Sequence, residues 1–203
     1  MPLLSGLVYR KDDSAMSEKL ILASASPRRL ELIRFLDIPF EAIPSDAEEV
    51  SEGRPEEVVV ENAKRKAEAI CDFMPGRWVL GADTLVFLNE KALGKPKSPD
   101  DAMNMLRALS GRTHQVMTGI CLTNGQKRLT RVSVTDVSFL PLSEEEIRSY
   151  VQSGEPMDKA GAYALQGRAG AYVKSISGSY SNVIGLDIAL TRLMLEEAGL
   201  WHC

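Results

Sequence analysis

Six consecutive residues, Ser24-Ala25-Ser26-Pro27-Arg28-Arg29, place two hydroxyls and two guanidiniums directly after the apolar run Leu20 to Ala23. These residue types suit a polyanion. Ser26 is a good helix N-cap and Pro27 a good first helical residue, so the segment reads as a strand-to-helix turn. Such a turn offers free amides and the positive end of a helix dipole. Arg28 and Arg29 add planar forks that match phosphate oxygens. Farther along, Asp83 sits between Val79-Leu80 and Leu85-Val86 and interrupts what reads as buried strand. A carboxylate desolvated there is paired, metal-bound or functional, or else it is a strand-end aspartate that accepts backbone hydrogen bonds. Glu48 and Glu49 in an acidic loop, Lys66 on a helix flank and Lys95 in the turn Gly94-Lys95-Pro96 are further charged candidates. Each also reads as ordinary solvated surface. Gln166 lies in a glycine-rich stretch. Its amide has one acceptor and two donors, enough to bond the edge of a uracil-type or thymine-type ring.

The composition narrows the chemistry. In 203 residues, 44% hydrophobic and 26% charged side chains fit an ordinary globular protein, which disfavours disorder. No apolar stretch is long enough to span a membrane, and the N-terminus lacks the long apolar centre of a signal peptide, so the expected location is the cytoplasm. With 24 basic against 28 acidic side chains, the net charge of −4 argues against a broad nucleic-acid footprint and favours a small anionic ligand. Cys71, Cys121 and Cys203 are scattered and odd in number, and read as reduced thiols. With only His114 and His202, a histidine-centred metal site or a Ser-His-Asp triad has little to draw on. Any metal chemistry would use carboxylates, which favours magnesium or manganese.

The elements that must position these groups follow from periodicity. After the first strand and the Ser26 helix come an extended run from Phe40 to Ile43 and a long helix opened by Pro55. Val59, Ala63, Ala67 and Ile70 lie on the apolar face of that helix. Ser98 and Pro99 start a third helix, with Gly111 beyond its end. Thr113 to Leu122 and Leu129 to Phe139 read as strands joined at Asn124-Gly125. Ser143 and Glu146 form a capping box for a fourth helix that stops before Gly154. Ala171-Tyr172-Val173 is a short strand candidate, and a last helix runs from about Leu186 to Ala198. Strands alternating with helices and then a hairpin point to a mixed α/β sheet. Residues 1–18 read as an N-terminal extension without packed structure, or as sequence preceding a true start at Met16. One domain follows over residues 19–203.

Taken in order, seven blocks resemble the Maf family of nucleoside triphosphate pyrophosphatases, over about Leu20 to Leu195. They are Leu22 to Arg29, Glu48-Glu49, Ala63 to Ala67, Gly81-Ala82-Asp83-Thr84, Gly94-Lys95-Pro96, Leu109 to His114, and Glu155 to Gly167. The resemblance implies an inosine-triphosphatase-like α/β fold of two lobes around a central cleft, with flanking helices. It also implies a cytoplasmic, house-cleaning role, homodimerisation, and dependence on a divalent cation, Mg2+ or Mn2+. It assigns Asp83 as proton acceptor, and ties Arg28, Thr84 and Gln166 to substrate choice. At these places the chain follows the dTTP/UTP subgroup, and lacks the tryptophan and glutamate of the 7-methyl-GTP subgroup. Ala164-Leu165 departs slightly from the usual glycine and isoleucine.

The expected reaction is hydrolysis between the α and β phosphates to a monophosphate and pyrophosphate. Ser24, Arg28, Arg29, Lys66 and Lys95 would hold the phosphates, with Glu49 and Asp83 as metal ligands. The competing readings are a pyrophosphatase for modified nucleotides or 7-methyl-GTP, and a nucleotide-binding regulator of cell division.

Overall fold

A computed structural model of the protein describes residues 19–201. The extension expected over residues 1–18 lies outside the described residues.

The elements in chain order are β1 (Leu20–Leu22), α1 (Pro27–Arg34), β2 (Phe40–Ala42), α2 (Pro55–Cys71), β3 (Val79–Leu88), β4 (Lys91–Leu93) and α3 (Pro99–Leu109). They continue with β5 (Thr113–Thr123), β6 (Arg128–Phe139), α4 (Glu144–Gln152), β7 (Val173–Ser177), α5 (Tyr180–Ile184) and α6 (Ile188–Glu197). Three short 3-10 segments, Glu155–Asp158, Ala160–Ala162 and Arg168–Tyr172, fill the glycine-rich region.

Local chemistry explains the boundaries. Ser98 Oγ accepts from the Asp101 amide at 3.1 Å to start α3, and the capping box of Ser143 and Glu146 starts α4. The last helix begins at Ile188, later than its apolar pattern suggests, because the Asp187 carboxylate caps it by accepting from the Leu190 amide at 3.1 Å. Ser26 occupies the N-cap position of α1 but makes no side-chain capping bond; Ser24 Oγ accepts the Ser26 amide instead, at 3.2 Å. The strand expected at Ala171 starts only at Val173, since the Gly170 amide closes a turn on the Gly167 carbonyl at 3.1 Å. Asp83 does not interrupt its strand: β3 runs straight through it.

Among the described residues, seven strands form one mixed sheet in the order β2-β1-β3-β5-β6-β7, with β4 also paired to β3. β1 runs parallel to β2 and β3, and the remaining pairs are antiparallel. Along one face of β3, Leu80 and Ala82 pack into a core with α1 and α6, while Val86 packs into a second core with α3 and α4. Thr84 falls between them, on the same face by the two-residue period. Two lobes thus share one long strand. Each fully buried leucine or isoleucine in these cores contributes roughly 1.5–3 kcal/mol.

α2 covers the opposite face, and two glycines let it lie directly on the sheet. A Cβ on Gly81 would stand 2.2 Å from the Ala63 carbonyl oxygen, and one on Gly119 would stand 2.1 Å from that of Val59. Among the described residues no helix is long and apolar enough to cross a membrane.

Candidate active site

Inside the sheet, β3 carries a gap along one of its edges. β5 pairs along β3 from Val79 to Phe87, whereas the other edge is shared by two short strands. β1 reaches only Val79 and Leu80, and β4 only Val86 to Leu88. Between them, among the described residues, no strand pairs with the edge around Asp83, and a cleft of about 700 Å³ opens there, between the lobes. That volume lies in the roughly 300–1,000 Å³ range of small-molecule sites.

Asp83 is 5% exposed. Its Oδ1 accepts from Lys66 Nζ at 2.6 Å and its Oδ2 from Asn62 Nδ2 at 3.0 Å. Asn62 and Lys66 are one helical turn apart on α2, so the close seat of α2 on Gly81 and Gly119 aims both donors at one carboxylate. Lys66 Nζ also pairs with Glu49 Oε1 at 2.6 Å. Asn62 in turn fixes the acidic loop, accepting from the Val50 amide at 2.7 Å and donating to the Val50 carbonyl at 3.0 Å. The buried Asp83 carboxylate is therefore paired and hydrogen-bonded on both oxygens, which offsets its removal from water.

Opposite the carboxylate, the two arginines are held differently. Arg29 donates from Nε to the Gly185 carbonyl at 2.8 Å and from Nη2 to Thr84 Oγ1 at 3.0 Å, with Nη1 at 3.5 Å from Ser24 Oγ. Thr84 Oγ1 also lies 2.8 Å from Thr118 Oγ1, its neighbour across β5. Burial lowers the Arg29 pKa, as does the Arg28 charge, and the Asp83 charge acts against both. Arg28 is one-third exposed and forms an ion pair at 3.9 Å with Asp158 across the cleft. The first helical hydrogen bond of α1 runs from the Leu30 amide to the Ser26 carbonyl, so the Arg28 and Arg29 amides at the helix start have no intrahelical partner.

The far wall is irregular backbone. The Gly161 amide donates to the Gly94 carbonyl at 3.1 Å, tying the Lys95 turn to the segment that leads to Gln166. Gly161 has a φ of +68°, and a Cβ there would stand 2.9 Å from Val86. Tyr163 Oη lies 2.8 Å from His114 Nε2. Burial pulls the His114 pKa down to about 4, with only partial opposition from Asp136.

A family model described as Maf-like protein matches residues 19–198. The chain belongs to this family. It is 50% identical over 184 residues to a dTTP/UTP pyrophosphatase of Symbiobacterium thermophilum, which covers 90% of this chain and 95% of that relative. It is 48% identical over 181 residues to a dTTP/UTP pyrophosphatase of Photorhabdus laumondii, covering 88% and 93%. Among solved structures, the Staphylococcus aureus Ham1 protein aligns over 89% of this chain and 99% of its own, with a TM-score of 0.53 and 16% identity. That likeness is one of fold, and it fits the inosine-triphosphatase-like architecture expected of a Maf sequence.

Ser24, Arg28, Arg29, Glu49, Lys66, Asp83, Thr84, Lys95 and Gln166 all line the same cleft; Glu48, the other acidic candidate, does not. Asp83, Lys66 and Glu49 are in contact, as are Arg29, Thr84 and Ser24. Gln166 and Lys95 reach the cleft from separate loops. Sequence reasoning missed Asn62 and Thr118. The first had a readable signal, since it stands four residues before Lys66 on the same helical stripe; the second depends on strand register.

Asp83 and Glu49 could also hold a metal. Among the described residues no cluster of three or more histidine, cysteine or acidic side chains is present. Two hard oxygen donors suit Mg2+ or Mn2+, because such an ion keeps several waters and takes substrate phosphates as further ligands; the Lys66 ammonium lies 2.6 Å from one oxygen of each carboxylate, so an ion would use their other oxygens or displace Lys66.

Proposed function

We propose that the chain hydrolyses dTTP, UTP and related pyrimidine nucleotides between the α and β phosphates, releasing the nucleoside monophosphate and pyrophosphate. One observation carries this reading. A single cleft holds a pinned carboxylate, a set of cations and a helix start, in a chain whose relatives bear the name dTTP/UTP pyrophosphatase.

Arg28 and Lys95 neutralise phosphate charge, and the α1 amides with Ser24 add hydrogen bonds that strengthen as charge moves onto the leaving pyrophosphate. Arg29, which lines the cleft, orients this wall through Gly185 and Thr84 and adds positive charge to it. Asp83 aligns the attacking water and accepts its proton, with Asn62 and Lys66 fixing the carboxylate. A divalent cation held by Asp83 and Glu49 would acidify water and offset phosphate charge. Gln166 pairs with the carbonyl and imide edge of uracil or thymine, a contact that purines do not reproduce in the same pose.

Pyrophosphate release from a panel of nucleoside triphosphates, with Mg2+ or Mn2+ supplied, tests the reading. UTP and dTTP should give monophosphate and pyrophosphate. Orthophosphate as the product would overturn the cleavage site, and preference for 7-methyl-GTP would overturn the base assignment. Nucleotide binding without turnover would favour a regulatory module instead.

A further inference from the structure

The loop that presents Gln166 hangs from two side chains that take no part in the chemistry above. Tyr150, in α4, is fully buried. Its hydroxyl donates to Glu155 Oε1 at 2.9 Å and accepts from the Ala164 amide at 3.1 Å. The second carboxylate oxygen, Glu155 Oε2, accepts from the Arg168 amide at 3.3 Å. Ala164 and Arg168 stand two residues before and two residues after Gln166. The backbone on both sides of that amide is therefore fastened to one tyrosine–glutamate pair.

Gly167 shows how closely the pair grips the loop, because a Cβ there would stand 2.0 Å from Glu155 Oε1. The Tyr150 ring packs edge-on against Tyr172, with centroids 5.5 Å apart. Burial raises the Tyr150 pKa, which keeps the hydroxyl available as a donor. Neither Tyr150 nor Glu155 lines the cleft.

We propose that Tyr150 and Glu155 are positioning residues for base selection: they hold the Gln166 amide at the place where a pyrimidine edge is read. The proposal rests on the reading of Gln166 given above. It separates from a purely structural role because it concerns the preference between bases rather than overall turnover.

The test compares kcat/KM for UTP and for ATP, together with the inhibition constant of inorganic tripolyphosphate, which has no base. The proteins are wild type, Tyr150→Phe, Glu155→Gln, Gln166→Ala and the double variant Tyr150→Phe/Gln166→Ala. Tyr150→Phe should lower the UTP-over-ATP preference about tenfold, with the tripolyphosphate constant moving by no more than about twofold. Glu155→Gln should lose less, since its amide oxygen still serves as one acceptor. In the Gln166→Ala background, Tyr150→Phe should change the preference by less than about twofold, as expected of two residues acting through one contact.

If Gln166→Ala loses the preference while Tyr150→Phe and Glu155→Gln keep it, the positioning role is overturned and the base reading stands. If Gln166→Ala itself keeps the preference, the base reading fails and takes the positioning role with it. Should Tyr150→Phe fold poorly, Glu155→Gln alone and paired with Gln166→Ala provides the same comparison.

Discussion

The two walls of the cleft hold their side chains by opposite means. On the wall built by β1, α1, α2 and β3, the reactive groups stand on regular elements. Asp83 is mid-strand, Lys66 and Asn62 are one turn apart on a helix, and Arg28 and Arg29 open another. On the wall built by residues 155–168, the backbone is a series of 3-10 turns and bends, held in place by Tyr150, Glu155 and His114. The first wall carries most of the charge and, on the proposed function, the chemistry; the second carries Asp158, Lys159 and the neutral Gln166 amide, which on the same proposal reads the base. Bond cleavage needs geometry fixed to a fraction of an ångström, which strands and helices supply. Base choice needs only a correctly aimed edge, which a buttressed loop can provide.

The largest effect should come from the regular wall. Asp83→Asn is expected to lower kcat on UTP by about a hundredfold to ten-thousandfold, with nucleotide binding retained. A variant with near-normal turnover in a steady-state assay would dissolve the contrast, because Asp83 would then be one more buried structural acid.

Acid should act on the other side. His114 has a pKa near 4 in the folded protein against an ordinary value of 6.5, because it is buried. The unfolded chain therefore binds the extra proton between those values, and stability falls as pH drops from about 6.5 toward 4. The loss is on the order of 3 kcal/mol. Urea denaturation across that pH range should show the slope, and His114→Phe should flatten it. An unchanged slope in the variant would remove His114 as the acid-sensitive part of this lobe.

Gln166→Glu should then weaken UTP and dTTP use by about 1–3 kcal/mol in kcat/KM, leaving tripolyphosphate inhibition much less affected. Equal losses for all nucleotides would mean that this wall also governs phosphate binding. The smallest change is expected at the cleft mouth. Asp158 is exposed and its pair with Arg28 is long, so Asp158→Asn should lower KM for UTP by no more than about threefold. A larger shift would make the pair a latch between the two lobes.

The same contrast governs what could be read from the sequence. The regular wall was legible: Pro27, Pro55 and the Val59-Ala63-Ala67 stripe mark the helices, and the Leu20 and Val79 runs mark the strands. The open edge at Asp83 was not, because it arises from where β1 stops and β4 begins, and β4 gives only a three-residue signal. Asn62 shows in the sequence only as helical spacing to Lys66; its partners, Val50 and Asp83, meet it only once α2 settles on Gly81 and Gly119. On the irregular wall, periodicity gave a glycine-rich loop and nothing finer. Gln166 was singled out by its amide chemistry and by resemblance, while the bonds of Tyr150 and Glu155 to backbone amides leave no mark on spacing or composition.

The most direct test of the cleft as a triphosphate site is a crystal structure with the non-hydrolysable analogue α,β-methylene-UTP. The phosphates should lie against Ser24, Arg28 and Lys95, the uracil edge at the Gln166 amide, and the α-phosphorus facing Asp83. An analogue bound in the reverse sense, or outside the gap between β1 and β4, would contradict that arrangement.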